Sequence, residues 1–275
     1  MNAGTAFAAC EATVRRFDHD RYFASLFAPA DKRPLLYALY AFNHELARVG
    51  EAAREPAMTE IRLQWWREML QSPSERHPLP HPAATGVAEL LNRSCVSAAD
   101  LEALIGPRET EISPAPFATL AAMESHAEAT SSALMHIAAQ IVDPAADTAD
   151  LTREAGIAYG LAGMLRSLPF HFARGKLFLP ADLLAAGTLS GAIPAHSVDA
   201  TTVVAKLSSA ATHHLARARK SLVPRSVLPA VLPASLVPAY LLHLQNCGDP
   251  LRAQTEISQL RRQLTILRAA LLNRI

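Results

Sequence analysis

The sequence predicts an all-α fold, and three observations predict it. Half the residues are hydrophobic but only 6% are aromatic, with alanine and leucine abundant and β-branched runs scarce, a composition that favours helices over pleated strands. Apolar residues recur at steps of three and four, most clearly Leu35, Leu39, Phe42, Leu46 and Val49, which is the spacing of one buried helix face. Prolines punctuate the intervals, as in Ser72 to Pro82, where four of them mark a connector. At 275 residues a single large core is expected over 1–275, near the size at which chains divide.

The elements follow in order. Residues 5 to 17 form a short helix, and DRYFASLFAP, Asp20 to Pro29, forms a second that stops before proline. Asp31 is placed to cap a long helix reaching about Arg54. In TEIRLQWWREMLQ, Thr59 is a candidate cap, and Ile61, Trp65, Glu68 and Met69 fall at helical spacing. Trp65 and Trp66 read as packing residues rather than a binding platform. Two short helices, 83 to 92 and 97 to 105, precede a long helix or kinked pair from 114 to 140. A second central helix runs from 148 to 172, and Pro169 should stop or kink it. A helix from 201 to 220 ends in Arg217, Arg219 and Lys220, which suit a C-terminal dipole. Pro224, Pro229, Pro233 and Pro238 mark a turn leading into a helix through Tyr240 and Leu244. In the last helix, 255 to 273, Ile257, Leu260, Leu264, Leu267 and Leu271 form one stripe, with Arg261, Arg262 and Arg268 off it. Two readings stand for it: a helix docked by that stripe with a solvated basic face, or a helix lying on a membrane surface.

A net charge of +1 gives no reason to expect the surface as a whole to attract nucleic acid or anionic membrane. Cys10, Cys95 and Cys247 fit neither CxxC metal spacing nor a disulfide framework, which points to a reducing cytoplasm. The N-terminus lacks a basic region followed by a long apolar core, and no run reaches about 18 uninterrupted apolar residues, so neither export nor a membrane span is expected. A Gly-rich phosphate loop, a GxSxG elbow and an HExxH motif are all absent from the sequence.

YALYAFNHELARVGE, Tyr37 to Glu51, resembles the first aspartate-rich helix of the squalene and phytoene synthase family, roughly ALYAFCRxxDDxxD. Ala38 to Phe42 match. The family's arginine falls on His44, and its aspartates fall on Ala47, Arg48 and Glu51. Upstream, the family's SFYxASxxLPxxxR is matched at Tyr22, Ala24, Ser25, Pro29 and Arg33, with Asp20 in place of the serine, where it would repel a diphosphate. RGKLFLPADLL, Arg174 to Leu184, resembles RGRxYLPxDxL and is the most specific match. The second family motif, QxxNxLRDxxED, falls on Gly160, Gly163, Leu165, Arg166, Ser167, Phe170 and His171. The resemblance implies an isoprenoid-synthase-type helical bundle around a central cavity, with helices 34 to 54 and 148 to 172 facing each other.

Enzymes of that fold ionise an allylic diphosphate, and magnesium must neutralise the leaving group. Carboxylates at i and i+4 share a helix face, so one such pair on each of two helices makes an oxygen cage. Here Glu51 is the sole acid among the expected ligand positions, and Glu45 and Glu154 have Val49 and Ala158 at i+4. Arg48 in place of an aspartate reverses a charge where about 4 kcal/mol acts between unit charges 4 Å apart at an effective dielectric near 20. Neither a catalytic residue nor a cofactor is therefore expected, magnesium entering only if the chain is an enzyme after all. His44, Glu45 and His171 would make a softer, zinc-like set only if brought together; packing histidines are the plainer reading. His213, His214, Glu124 and Glu128 read as helix surface. Arg166, Arg174 and Lys176 remain as a magnesium-independent anion contact.

AFNHELARV, RLQWWREML and RGKLFLP resemble the divergent branch of the family that contains the mitochondrial respiratory complex I assembly factor and its bacterial relatives. That resemblance implies a noncatalytic binding or assembly protein, with complex I subunits or assembly intermediates as protein partners. A lipid or isoprenoid ligand and a peripheral contact at the inner membrane fit it as well; nucleic acid does not. The alternative is a prenyltransferase of squalene or phytoene synthase type with an altered metal site. Tyr22, Arg33, His44, Ala47, Arg48, Glu51, Gly163, Arg166, Ser167, His171, Arg174 and Lys176 mark the vestigial substrate cavity in either case.

Overall fold

The structure, a computed structural model, describes residues 1–52, 56–72, 81–111, 117–174, 178–183, 200–252 and 254–275, the side chains of 50–52, 56 and 200 excepted. Among these residues the chain is helical, with no strand and one isolated parallel bridge, Phe117 to Pro180. The chain divides into two compact units. The first comprises Met1–Ser113, Ala133–Thr148 and Val223–Leu232; the second comprises Pro114–Ser132, Ala149–Leu222 and Pro233–Ile275.

The first unit contains α1 (Ala3–Phe17), α2 (His19–Ser25), α3 (Arg33–Ala52), α4 (Pro56–Gln71), α5 (Pro82–Arg93), α6 (Ala98–Glu102), α7 (Gly106–Glu109), α9 (Ala133–Val142) and α12 (Leu228–Val231). Its hub is α3, which packs against α1, α2, α4, α5, α7 and α9. The expected stripe from Leu35 to Val49 is buried, but so are Leu36, Tyr37, Ala38, Tyr40 and Ala41. The first half of α3 is therefore enclosed on all sides rather than along one face. The helix starts at Arg33, which puts Lys32 at the cap position and leaves Asp31 exposed. Asp18 caps α2 by accepting from Arg21 N, and Asn2 caps α1 by accepting from Thr5 N.

In α4 the phase differs from expectation. Thr59, Leu63, Trp66, Met69 and Leu70 are buried, while Ile61 is 61% exposed. Two apolar rows lie on this helix, and the one that meets α3 and α6 is the leucine row. Thr59 is a core residue three positions inside the helix, not its cap. The connector 73–80 lies outside the described residues.

The second unit contains α8 (Leu120–Ala127), α10 (Ala149–Phe172), α11 (Ala200–Ala218), α13 (Val237–Gln245) and α14 (Gln259–Leu272). The stretch expected as one long or kinked helix is interrupted by a single π-helical segment, Glu128–Ser132. Here α10 is the hub, packed against α8, the π segment, α11 and α13. Gly156 makes that packing close: a Cβ there would lie 2.3 Å from Ser132 Cα. Helix α10 continues three residues beyond Pro169, so the proline does not end it. Pro229 and Pro238 sit in the first turns of α12 and α13, where a missing N–H costs nothing. One described stretch, Leu228–Gln245, is long and apolar enough to cross a membrane, and 78% of it is buried within the protein.

In α14 the expected face is reversed. Leu260, Leu264, Leu267 and Leu271 are exposed, and Arg262, Ile266, Ala269 and Ala270 are buried. Arg262 can be buried because its guanidinium donates to Glu256 Oε2 at 2.6 Å, Gln259 Oε1 at 2.8 Å and Tyr240 Oη at 3.3 Å.

Candidate functional site

Six candidate positions lie in the first unit. Tyr22, half-buried on α2, stacks on Tyr37 at 5.9 Å, and burial together with Glu11 and Tyr22 pushes the Tyr37 phenol up to about 12. Asp20 is 3% exposed. Arg33 donates from Nε to Ala28 O at 2.8 Å, which commits it to the turn before α3. His44 stacks on Phe17 with ring centroids 4.6 Å apart, and its Nε2 is buried without a hydrogen-bond partner. Burial lowers its pKa against the pull of Glu45, so the ring packs as a neutral group. Ala47 is half-buried and Arg48 exposed. The side chain of Glu51 lies outside the described residues.

A group that the sequence did not single out surrounds Glu45. His81 accepts weakly from Ala84 N at 3.4 Å as the cap of α5, packs against Trp65 and Trp66, and turns Nε2 toward Glu45 at 4.0 Å. Burial lowers the His81 pKa. It also raises Cys10 to about 12, with Glu45 adding to the effect, so Cys10 is a packed thiol rather than a nucleophile. The only sequence signal was His81-Pro82 before a helix pattern, which marks a cap and no more.

The other six positions lie in the second unit. Gly163 faces open space, and a Cβ added there would meet nothing within 4 Å, whereas Gly160 is packed tightly against Ala127 and Ser131. Arg166 lies over the Tyr240 ring at 3.9 Å and pairs with Glu256 at 2.5 Å, while its carbonyl accepts from Thr255 Oγ1 at 2.6 Å. The guanidinium expected to serve as an anion contact is thus engaged within its own unit, where it shares Glu256 with Arg262. Ser167 donates to Met164 O on its own helix at 3.0 Å. His171 meets Phe170 and Phe178 edge-on at 5.3 and 4.8 Å. Arg174 covers the Phe170 ring at 3.5 Å and donates to Phe170 O. Lys176 lies outside the described residues. Further along the RGKLFLPADLL motif, Ala181 N donates to Phe117 O at 2.7 Å.

Three of the residues expected on the helix surface, Glu124, Glu128 and His214, belong to the charge network of this unit. Glu154, 4% exposed, accepts from Arg153 at 2.9 Å and pairs with Arg217 at 3.0 Å. Its other oxygen contacts His214 Nδ1 at 2.7 Å, and His214 Nε2 faces Glu124 at 3.4 Å. Glu128 holds Arg153 at 2.7 Å. The network fastens α8, the π segment, α10 and α11 together.

A magnesium cage needs several hard oxygen donors converging on one point. The described side chains at the family's ligand positions are Ala47, Arg48, Ser167 and His171, with a phenylalanine at Phe170. One is a cation, one is apolar, and the serine hydroxyl is directed to its own backbone. That donor set does not fit the ion. The histidines do not substitute: His44 is stacked on Phe17, Glu45 is turned to His81, and His171 is held between aromatic rings.

The architecture is that of the isoprenoid-synthase-type helical proteins. A dehydrosqualene synthase crystallised with ligand superposes with a TM-score of 0.80 at 14% identity, over 98% of this chain and 97% of that one. Squalene synthase HpnC from Alicyclobacillus acidocaldarius gives 0.73 at 19% identity, covering 88% and 94%. At these identities the likeness defines the fold alone. The sequence profile of the squalene/phytoene synthase family matches residues 14–265, and the chain belongs to that family. Among curated relatives, NADH dehydrogenase (ubiquinone) complex I, assembly factor 6 of Bos taurus is 29% identical over 86% of this chain and 73% of its own length. The Homo sapiens protein of that name is 28% identical over the same shares, and the Drosophila melanogaster homolog 26% over 87% and 75%.

Proposed function

We propose that this chain is a noncatalytic member of the squalene/phytoene synthase family that acts by binding protein, as an assembly factor in respiratory complex I biogenesis. The observation that carries the reading is the second motif on α10. Where a metal-dependent synthase needs carboxylates, this helix presents Ser167, Phe170 and His171, and its arginine is engaged by Glu256 and Tyr240. The relatives named as complex I assembly factors, matched over most of both chains, support the direction of the reading. It puts the chain in the cytoplasm, at the inner membrane, with complex I subunits or assembly intermediates as partners and without a cofactor.

The test is affinity capture of the tagged full chain from native membranes with mass spectrometry, together with native-gel analysis of complex I in a strain lacking the protein. Enrichment of complex I subunits and loss of the mature complex are expected. Normal complex I in the deletion strain would overturn the reading.

A further inference from the structure

Helix α14 is apolar on two opposite faces. Ile266, Ala269 and Ala270 pack inward, and Arg262 lies with them because its guanidinium is turned to Glu256 and Tyr240. Leu260, Leu264, Leu267 and Leu271 point the other way, exposed by 65, 56, 44 and 76%. At about 100° per residue these four leucines fall within roughly 60° of one another, on a stripe about 16 Å long. An exposed row of this kind in a folded chain marks an interaction surface.

The charges beside the row say what covers it. Arg261 and Arg268, both exposed, run along one edge seven residues apart, flanking a shallow depression lined by Ser258, Leu260, Arg261, Leu264, Thr265 and Arg268. From Ile257 to Ile275 the sequence contains no Asp or Glu. Arg219 Nε donates to Ile275 O at 2.7 Å, which brings the end of α11 to this end of α14, with the exposed Lys220 and the 92% exposed Leu222. Leucines bordered by cations alone complement a layer that is apolar within and anionic at its surface.

We propose that the outer face of α14 is a docking surface for an anionic lipid bilayer. The helix lies in the plane of the interface, its leucines below the headgroups and Arg261 and Arg268 among the phosphates. This does not depend on the assembly-factor reading, since capture of a partner and partition onto lipid are separate measurements.

The experiment is co-sedimentation of the full chain with vesicles of phosphatidylglycerol and phosphatidylcholine, and with vesicles of phosphatidylcholine alone. Binding to the anionic vesicles, weakened by salt, is expected. R261Q/R268Q should lower that binding by about fivefold for each arginine and leave phosphatidylcholine binding unchanged. L264E/L267E, at exposed positions, should lower partition to both vesicles at least tenfold with an unchanged thermal melt. Failure of the wild type to bind anionic vesicles, or equal binding by the wild type and both variants, would overturn the proposal. So would a dimer in analytical ultracentrifugation that L264E/L267E dissolves without altering vesicle binding, because the occupant would then be a second copy of the chain.

Discussion

The two halves of α10 are built on opposite terms. From Leu151 to Ala162 the helix is buried nearly all round and carries Glu154 into a network of His214, Arg153, Arg217 and, through His214, Glu124. From Gly163 onward it opens: Gly163 faces empty space, Phe170 is 37% exposed, and polar groups are satisfied by the helix's own backbone or by Glu256 and Tyr240. Ionised groups persist where they fasten helices together, and the half that would bind a metal in a synthase offers a cation no carboxylate.

The sharpest way to break this contrast is a glycine scan. A methyl at Gly156 would meet the backbone of Ser132 at 2.3 Å, so Gly156→Ala should cost about 3 kcal/mol and lower Tm by roughly 6–12 °C. Gly163→Ala should be neutral or raise stability by up to about 1 kcal/mol, since it meets nothing and a mid-helix glycine is unfavourable. Equal losses at both positions in a thermal melt would erase the distinction between the halves.

Next in size is the buried network. Glu154→Gln leaves His214 and two guanidinium groups short of their charged partner; with both arginines about half exposed, a loss of about 2–3 kcal/mol is expected in chemical denaturation. Ser167→Ala, in the open half, removes a bond to its own helix and should change stability by less than about 0.5 kcal/mol.

The smallest effect concerns the matching position on α3. The His44 pKa is lowered in the folded state, chiefly by burial, with Arg48 adding and Glu45 and Asp18 opposing. The unfolded chain therefore takes up the proton first. Stability from the neutral ring is present above about pH 6.5 and is lost as pH falls through the lower folded value. His44→Phe keeps a ring on Phe17 and should gain on the wild type by a few tenths of a kcal/mol as pH is lowered to about 5.5, discounted for the ring's half exposure. Parallel melting curves for the two proteins across that range would contradict the assignment.

Much of the frame is legible in the sequence because helical period is a local signal: the α3 row from Leu35 to Val49 and the extent of α10 both emerge from spacing. The errors of helix phase have one physical cause. Helices α4 and α14 each carry two apolar rows, and periodicity reveals a row without saying what lies against it, so spacing points Ile61 and the α14 leucines inward although they are exposed. The candidate site divides similarly. The replacement of carboxylates at Ala47, Ser167 and His171 can be read directly, but not the fate of Arg166, whose partners Glu256 and Tyr240 lie 90 and 74 residues further on. His214 and Glu124 look like surface residues because the charges of this network, Glu154 among them, meet only after the helices pack.

The central claim is that this chain offers no metal-dependent diphosphate site, and the most direct test is a thermal melt with farnesyl or geranylgeranyl diphosphate, with and without magnesium, run beside a product assay. A ligand at a hundred times its Kd adds about 2.7 kcal/mol to a protein that binds it only when folded, so a working synthase would shift plainly. No magnesium-dependent shift and no condensed product are expected here. A magnesium-dependent rise of several degrees, or any C30 or C40 product, would contradict the account and make the chain a prenyltransferase.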